Sequence, residues 1–231
     1  LRQELKRLGI AENTILWYCS DNGGIRREST GGRGGKGSVY EGGLRVPSII
    51  EWPLKNLKGR SSMPVNTYDM YPTLLGMVGI DVTNQYPLDG KDISGVFNGS
   101  LDRRSQPMGF WHNFQKGRSP LSDRVLKGVM EKQNAGAVLP HDTEWFMKDV
   151  YKFPQYPEDK ATGHAAWNDW PWKLHRINGN KYELYNLIDD PMESVDLSSQ
   201  TKHQQLLKQM KKELGLWMRS VVRSINGKDY A

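Results

Sequence analysis

Asp21 and Asn22 stand side by side in Ser20-Asp21-Asn22-Gly23-Gly24, and Lys36 lies fifteen positions after Asp21 within Gly34-Gly35-Lys36-Gly37-Ser38. A carboxylate and an amide carbonyl are hard oxygen donors. Adjacent donors of that kind suit calcium or magnesium better than zinc. Lys36 adds a compact positive charge on a flexible stem, able to meet an anionic ester. A divalent cation with a lysine nearby stabilises charge on a sulfuryl or phosphoryl group. Asp-Asn-Gly is also a common turn, so the pair gains its meaning from the lysine segment downstream.

The same glycines match nucleotide-binding patterns, but their context argues against each. Gly32-Arg33-Gly34-Gly35-Lys36-Gly37 fits G-x-G-x-x-G, yet it neither follows a strand directly nor opens a helix. No V-A-I-K, H-R-D or D-F-G segment accompanies it, as a protein kinase would require. A P-loop is excluded because Lys36 precedes Gly37 rather than Ser or Thr, and Thr30 occupies the place of the first glycine.

The elements that must carry these residues follow from periodicity. Leu1, Leu5 and Leu8 recur at helical spacing before Gly9. Thr14 to Cys19 is a continuous apolar run, which predicts a strand buried on both faces in the middle of an α/β sheet. Ligands of such sheets sit beyond the carboxyl ends of strands, where Asp21 and Asn22 fall. Ser20 to Gly43 contains nine glycines and reads as a loop throughout. Leu44 to Trp52 predicts a second buried strand, with Pro47 near its start. Asn66 to Gly79 predicts a helix burying Met70, Leu74, Leu75 and Val78. Residues 98–165 show no lasting period. Trp172 to Ile177 and Lys181 to Leu187 flank Asn178-Gly179-Asn180, a hairpin signal. The stripe from Leu206 and Leu207 through Met210, Leu214, Trp217, Met218 and Val221 predicts a long C-terminal helix.

Taken together, Ser20-Asp21-Asn22-Gly23-Gly24 after a strand and Gly34-Gly35-Lys36-Gly37-Ser38-Val39-Tyr40-Glu41-Gly42-Gly43-Leu44-Arg45-Val46-Pro47 resemble the type I, formylglycine-dependent sulfatases. Asp69-Met70-Tyr71-Pro72-Thr73-Leu74-Leu75, Leu88-Asp89-Gly90-Lys91-Asp92, Trp172-Lys173-Leu174 and Glu183-Leu184-Tyr185-Asn186-Leu187-Ile188-Asp189-Asp190-Pro191 extend the match. The resemblance implies a partial alkaline-phosphatase-like α/β/α mixed sheet, with a small C-terminal antiparallel sheet and helix. It implies that Asp21 and Asn22 complete a calcium site, with magnesium less favoured, and that Lys36 contacts the sulfate group. A hydrated formylglycine would attack sulfur while calcium polarises the sulfate oxygens.

That nucleophile arises from a C/S-x-P-S/A-R motif, which these residues lack; Cys19 precedes Ser20-Asp21 and reads as a packed strand residue. The chain is therefore expected to be the C-terminal fragment of a sulfatase, inactive alone. Residues 1–100 would complete the catalytic α/β domain, 101–164 would form an unassigned insertion that shapes a pocket, and 165–231 a C-terminal subdomain. His112, His164 and Arg26 are candidate substrate contacts. Arg45 and Glu41 are expected to pair and hold the loop against the sheet. Asp69 reads as a helix-start residue. Trp167, Trp170 and Trp172 read as hairpin core.

The 231 residues have a formal charge of +6, with 37% hydrophobic and 25% charged residues, as a globular chain requires. The positive charge is spread along the chain and reads as a solvated basic surface. Sulfated small molecules or polysaccharide are the expected partners, nucleic acid is not, and no run is long enough for a membrane span. A periplasmic, secreted or lysosomal-type compartment follows from the resemblance alone. Two rival readings remain open: a phosphonate or phosphodiester hydrolase of the same superfamily, and a non-catalytic module binding sulfated polysaccharide.

Overall fold

The computed structural model describes residues 1–81, 87–112, 121–137, 161–178, 181–226 and 228. Two sheets carry the architecture. In the first, β1 (Leu16–Cys19) pairs antiparallel with β2 (Ser48–Glu51), from Leu16 opposite Glu51 to Cys19 opposite Ser48. Helix α1 (Arg2–Arg7) precedes it at the position set by the leucine spacing. Burial of β1 and β2 on both faces does not hold within the described residues: Tyr18 is 59% exposed and Ile49 is 62% exposed. A continuous apolar run calls for cover on both sides, and among the described residues β1 has one strand neighbour.

The glycine-rich segment is not loop throughout. Glu41–Leu44 forms one helical turn, α2, in which Gly42 and Gly43 are buried. Helix propensity argues against two glycines, but tertiary contact overrides it: the turn sits hard against neighbouring carbonyls. A Cβ on Gly43 would lie 2.1 Å from the Ser38 carbonyl oxygen, so only glycine fits there.

Helix α3 (Met70–Val78) follows a 3-10 turn at Thr67–Asp69 and ends at Gly79. Its buried residue is Thr73, whereas Leu74 and Val78 are exposed, so the predicted apolar face is only partly covered. Asp69 does more than start the helix. Its carboxylate accepts the Asn66 N–H at 2.8 Å, the Lys91 N–H at 2.9 Å, and both terminal nitrogens of Arg104 at 2.5 and 2.8 Å. Thr73 Oγ1 donates to the Asp69 carbonyl and accepts from Ile93 N–H. One buried carboxylate thereby ties the helix start to residues 91 and 104.

The second sheet is an antiparallel meander of β3 (Met108–His112), β4 (His164–Asp169), β5 (Trp172–Ile177) and β6 (Lys181–Asn186). The hairpin predicted around Asn178 is formed by β5 and β6; positions 179 and 180 lie outside the described residues. Much of the 98–165 stretch also lies outside them, although it supplies β3 and a helix, α4 (Leu121–Asn134). Alternation along the strands divides the side chains between two faces. Ala165, Leu174 and Leu184 join a core with Leu207, Met210, Leu214 and Met218 of α5 (Gln204–Ile225), and Trp167, Trp172 and Tyr182 pack against it. Their neighbours in sequence, His164, Lys173, His175, Glu183 and Tyr185, occupy the opposite face, away from α5.

No helix among the described residues is long and apolar enough to cross a membrane. Leu214, 1% exposed at the centre of the sheet–helix core, makes the packing testable. Leu214→Ala should reduce unfolding free energy by about 2–5 kcal/mol, read as a lower urea midpoint at unchanged slope.

Candidate functional site

The chain leaves β1 at Cys19 and runs directly into Ser20-Asp21-Asn22. Ser20 Oγ donates to the Asn22 carbonyl oxygen at 2.9 Å and shapes the turn. Beyond it the segment is stitched to the lysine loop: Gly23 N–H donates to the Gly43 carbonyl at 2.9 Å and Lys36 N–H to the Gly24 carbonyl at 3.0 Å. The backbone of Lys36 therefore sits beside the Asp21–Gly24 turn. Gly37, at φ 85, gives the left-handed bend that takes the chain away after Lys36.

The functional atoms of all three residues remain uncommitted. Asp21 and Lys36 are exposed, and neither side chain makes an ion pair or hydrogen bond among the described residues. The Asn22 amide nitrogen donates to the Gly23 carbonyl at 3.4 Å, and its carbonyl oxygen accepts nothing from them. Two free hard-oxygen donors next to a backbone-anchored lysine fit a calcium ion in chemical type. They supply only part of its usual six to eight ligands. Among the described residues, no group of three His, Cys, Asp or Glu side chains is disposed to hold a metal.

Behind the lysine loop lies a buried ionic cluster that sequence reasoning missed. Lys173 and Glu193 are fully buried. Lys173 Nζ reaches Glu41 Oε1 at 2.6 Å and Glu193 Oε1 at 3.1 Å. The other Glu193 oxygen accepts the Glu41 N–H at 2.6 Å, capping α2. The expected Glu41–Arg45 pair is absent; Glu41 pairs with Lys173, while Arg45 is exposed at the surface. At the other end of the loop, Arg33 Nη1 donates to Tyr185 Oη at 2.9 Å, to the Glu193 carbonyl at 3.2 Å and to Glu183 at 3.3 Å. Its guanidinium lies over the Tyr40 ring at 4.0 Å. Tyr40 and Tyr185 both donate to Glu183 Oε2, at 2.7 and 2.8 Å. The available signal was Lys173, His175, Glu183 and Tyr185 at alternate strand positions, which reads equally well as a solvated polar face.

His164 belongs to this cluster. His175 Nε2 donates to Glu193 at 2.6 Å, leaving Nδ1 as acceptor, so His164 Nε2–H donates across the 2.9 Å contact between the rings. Both imidazoles are held neutral. Burial and the neighbouring His175 push His164 down to about 4, against the pull of Glu183 and Glu193. Burial also lowers His175, and Lys173 adds to that shift, although its bond to Glu193 opposes it. Burial would raise Glu183 and Glu193, but both end below their ordinary range. Tyr40, Tyr185 and Arg33 outweigh burial at Glu183, and His175 and Lys173 do so at Glu193. His112 is exposed and stands opposite His164 in the β3–β4 register, on the face that meets the lysine loop. Arg26 is exposed, and its carbonyl accepts the Ser29 hydroxyl.

Residues 1–80 match the family model described as Sulfatase. Steryl-sulfatase of Rattus norvegicus is 25% identical over 221 residues, covering 89% of this chain and 36% of the relative. Over residues 1–80 the chain is similar to the sulfatase family. Ps i-CgsB in complex with k-i-k-neocarrahexaose shares the fold at a TM-score of 0.67 and 24% identity, over 99% of this chain and 40% of that one. The phosphonate monoester hydrolase of Agrobacterium radiobacter shares it at a TM-score of 0.56 and 19% identity, over 95% and 38%. The fold is thus part of the alkaline-phosphatase-like α/β architecture. This chain spans 21% to 36% of the length of the first curated relatives it matches.

The neutral imidazoles make stability pH-dependent in a defined sense. Between an unfolded value near 6.5 and the folded value near 4, the unfolded chain binds the His164 proton and the folded chain does not. Stability is complete above pH 6.5 and falls as pH drops through that window. The melting temperature should decline from pH 6.5 to 4, and His164→Asn should flatten the decline.

Proposed function

We propose that this chain supplies the calcium-binding pair Asp21 and Asn22 and the sulfate-contacting Lys36 to a sulfatase that hydrolyses sulfate esters. The carrying observation is the meeting of the Asp21–Gly24 turn with the Lys36 backbone, while the Asp21 and Lys36 side chains and the Asn22 side-chain oxygen have no partner among the described residues. The match of residues 1–80 to the sulfatase family model supports the reaction class. In the proposed arrangement residues 1–100 complete the catalytic α/β domain, 101–164 shape the pocket, and 165–231 form the supporting subdomain. His112, His164 and Arg26 are proposed substrate contacts; the exposed side chains of His112 and Arg26 are the more accessible of the three.

When bound, calcium would supply positive charge to the sulfate oxygens, and formylglycine contributed by other residues of the protein would supply the nucleophile. The chain's own part is electrostatic. Asp21 and Asn22 present oxygen ligands at the strand end, and the Lys36 ammonium meets the anionic ester and neutralises charge gathering on the leaving oxygen. Because backbone bonds join the Asp21–Gly24 turn to Lys36 before substrate arrives, little backbone reorganisation is needed during reaction. The formal charge of +6 favours an anionic substrate such as a sulfated polysaccharide, and the kinship of fold with Ps i-CgsB, bound to a neocarrahexaose, points the same way. A periplasmic, secreted or lysosomal-type setting accords with such a substrate.

In the sulfatase that contains these residues, Asp21→Ala and Lys36→Ala should each lower kcat/KM on an aryl sulfate by about 10²–10³-fold. Near-normal rates in both variants would sink the site assignment. The 231 residues alone should not turn the substrate over. A preference for a phosphonate monoester over the sulfate ester would move the protein to the related hydrolases.

A further inference from the structure

The lysine loop has no hydrophobic core of its own. Among residues 33–41 only Val39 is a buried apolar side chain, and a nine-residue segment with three glycines loses much conformational entropy when ordered. What holds it is polar and comes from the second sheet. Three positions before Lys36, Arg33 is bonded to Tyr185, Glu183 and the Glu193 carbonyl. Four and five positions after it, Tyr40 is bonded to Glu183, and Glu41 to Lys173 and Glu193. Among the described residues, Lys36 itself carries only the backbone bond to Gly24. The lysine is thus suspended between two anchors that converge on one buried cluster, more than 130 residues away in sequence.

We propose that this cluster sets the position of Lys36, so that Arg33, Tyr40, Glu41, Lys173, Glu183 and Glu193 act as positioning residues for it; this rests on reading Lys36 as the sulfate contact. The physical basis is the fixed geometry of buried charged hydrogen bonds. Glu193 has one oxygen on the α2 N–H and the other on Lys173 and His175, so it cannot shift without leaving a buried charge unpaired. Arg33 Nη1 engages β6 through Glu183 and Tyr185 and the following turn through the Glu193 carbonyl, and its guanidinium is stacked on Tyr40. Losing one anchor frees one side of the loop, and small misplacements of a charge acting on a transition state carry large rate costs.

The test is a double-mutant cycle in the complete sulfatase, with kcat and KM measured on an aryl sulfate and thermal melting run in parallel. Arg33→Met removes one anchor at a partly exposed site, and Tyr40→Phe removes only a hydroxyl, so at least one of these variants should fold. Each is expected to lower kcat by about tenfold, with KM moving far less. Placed on a Lys36→Ala background, the same substitutions should change kcat by less than about twofold, because the group they position is gone. An equal loss on both backgrounds, or no loss of kcat from either single substitution, overturns the proposal. Near-normal kcat in Lys36→Ala alone instead overturns the reading of Lys36, so the two failures are separable.

Discussion

The contact between Lys173, Glu41 and Glu193 is the interaction on which the arrangement depends. A fully buried ammonium needs compensation for the water it has lost, and two carboxylates provide it at 2.6 and 3.1 Å. Each partner comes from a different part of the chain: the glycine-rich segment, a central strand, and the turn after the last strand. Breaking the trio leaves a buried charge unpaired, whereas keeping it forces the glycine-rich segment onto the polar face of the second sheet. The short helix at Glu41, the neutral histidines and the course of the lysine loop all follow from that docking.

The second sheet has a division of labour imposed by strand alternation. One face is apolar and packs on the long C-terminal helix through Leu174, Leu184, Met210 and Leu214. The other is ionic and carries Lys173, His175, Glu183 and Tyr185 to the loop. Burying both faces gives a rigid support, because a one-residue register slip would place Lys173 and Glu183 in the apolar core and Leu174 and Leu184 in the ionic layer. Such a support suits a loop whose candidate groups stay accessible: Asp21 and Lys36 are exposed while residues around them are tied down.

Much of the local structure was legible. Helix α5, the β5–β6 hairpin and the start and stop of α3 followed from periodicity, turn chemistry and glycine, because each depends on contacts between residues close in sequence. The pairing of Asp21–Asn22 with the Lys36 segment was legible as a motif for the same reason. Expectations failed where burial depends on distant neighbours. The apolar run of β1 looked doubly covered, yet Tyr18 and Ile49 are exposed among the described residues. Glu41 looked like a partner for nearby Arg45, and its true partner is Lys173. The predicted apolar face of α3 gave way to a buried Asp69 and Thr73.

The sequence by itself determined the likeness of residues 1–80 to the sulfatases and the residue types proposed for metal and sulfate, since these reside in short motifs whose chemistry does not depend on what lies behind them. Only the tertiary structure decided that the polar face of the second sheet is an interior, with Lys173 and Glu193 holding the Lys36 loop. The physical reason is that a strand alternating apolar and charged residues specifies two faces without specifying the environment of either. Water and an opposing ion pair satisfy the same lysine, and folding brought Glu41 there from across the chain.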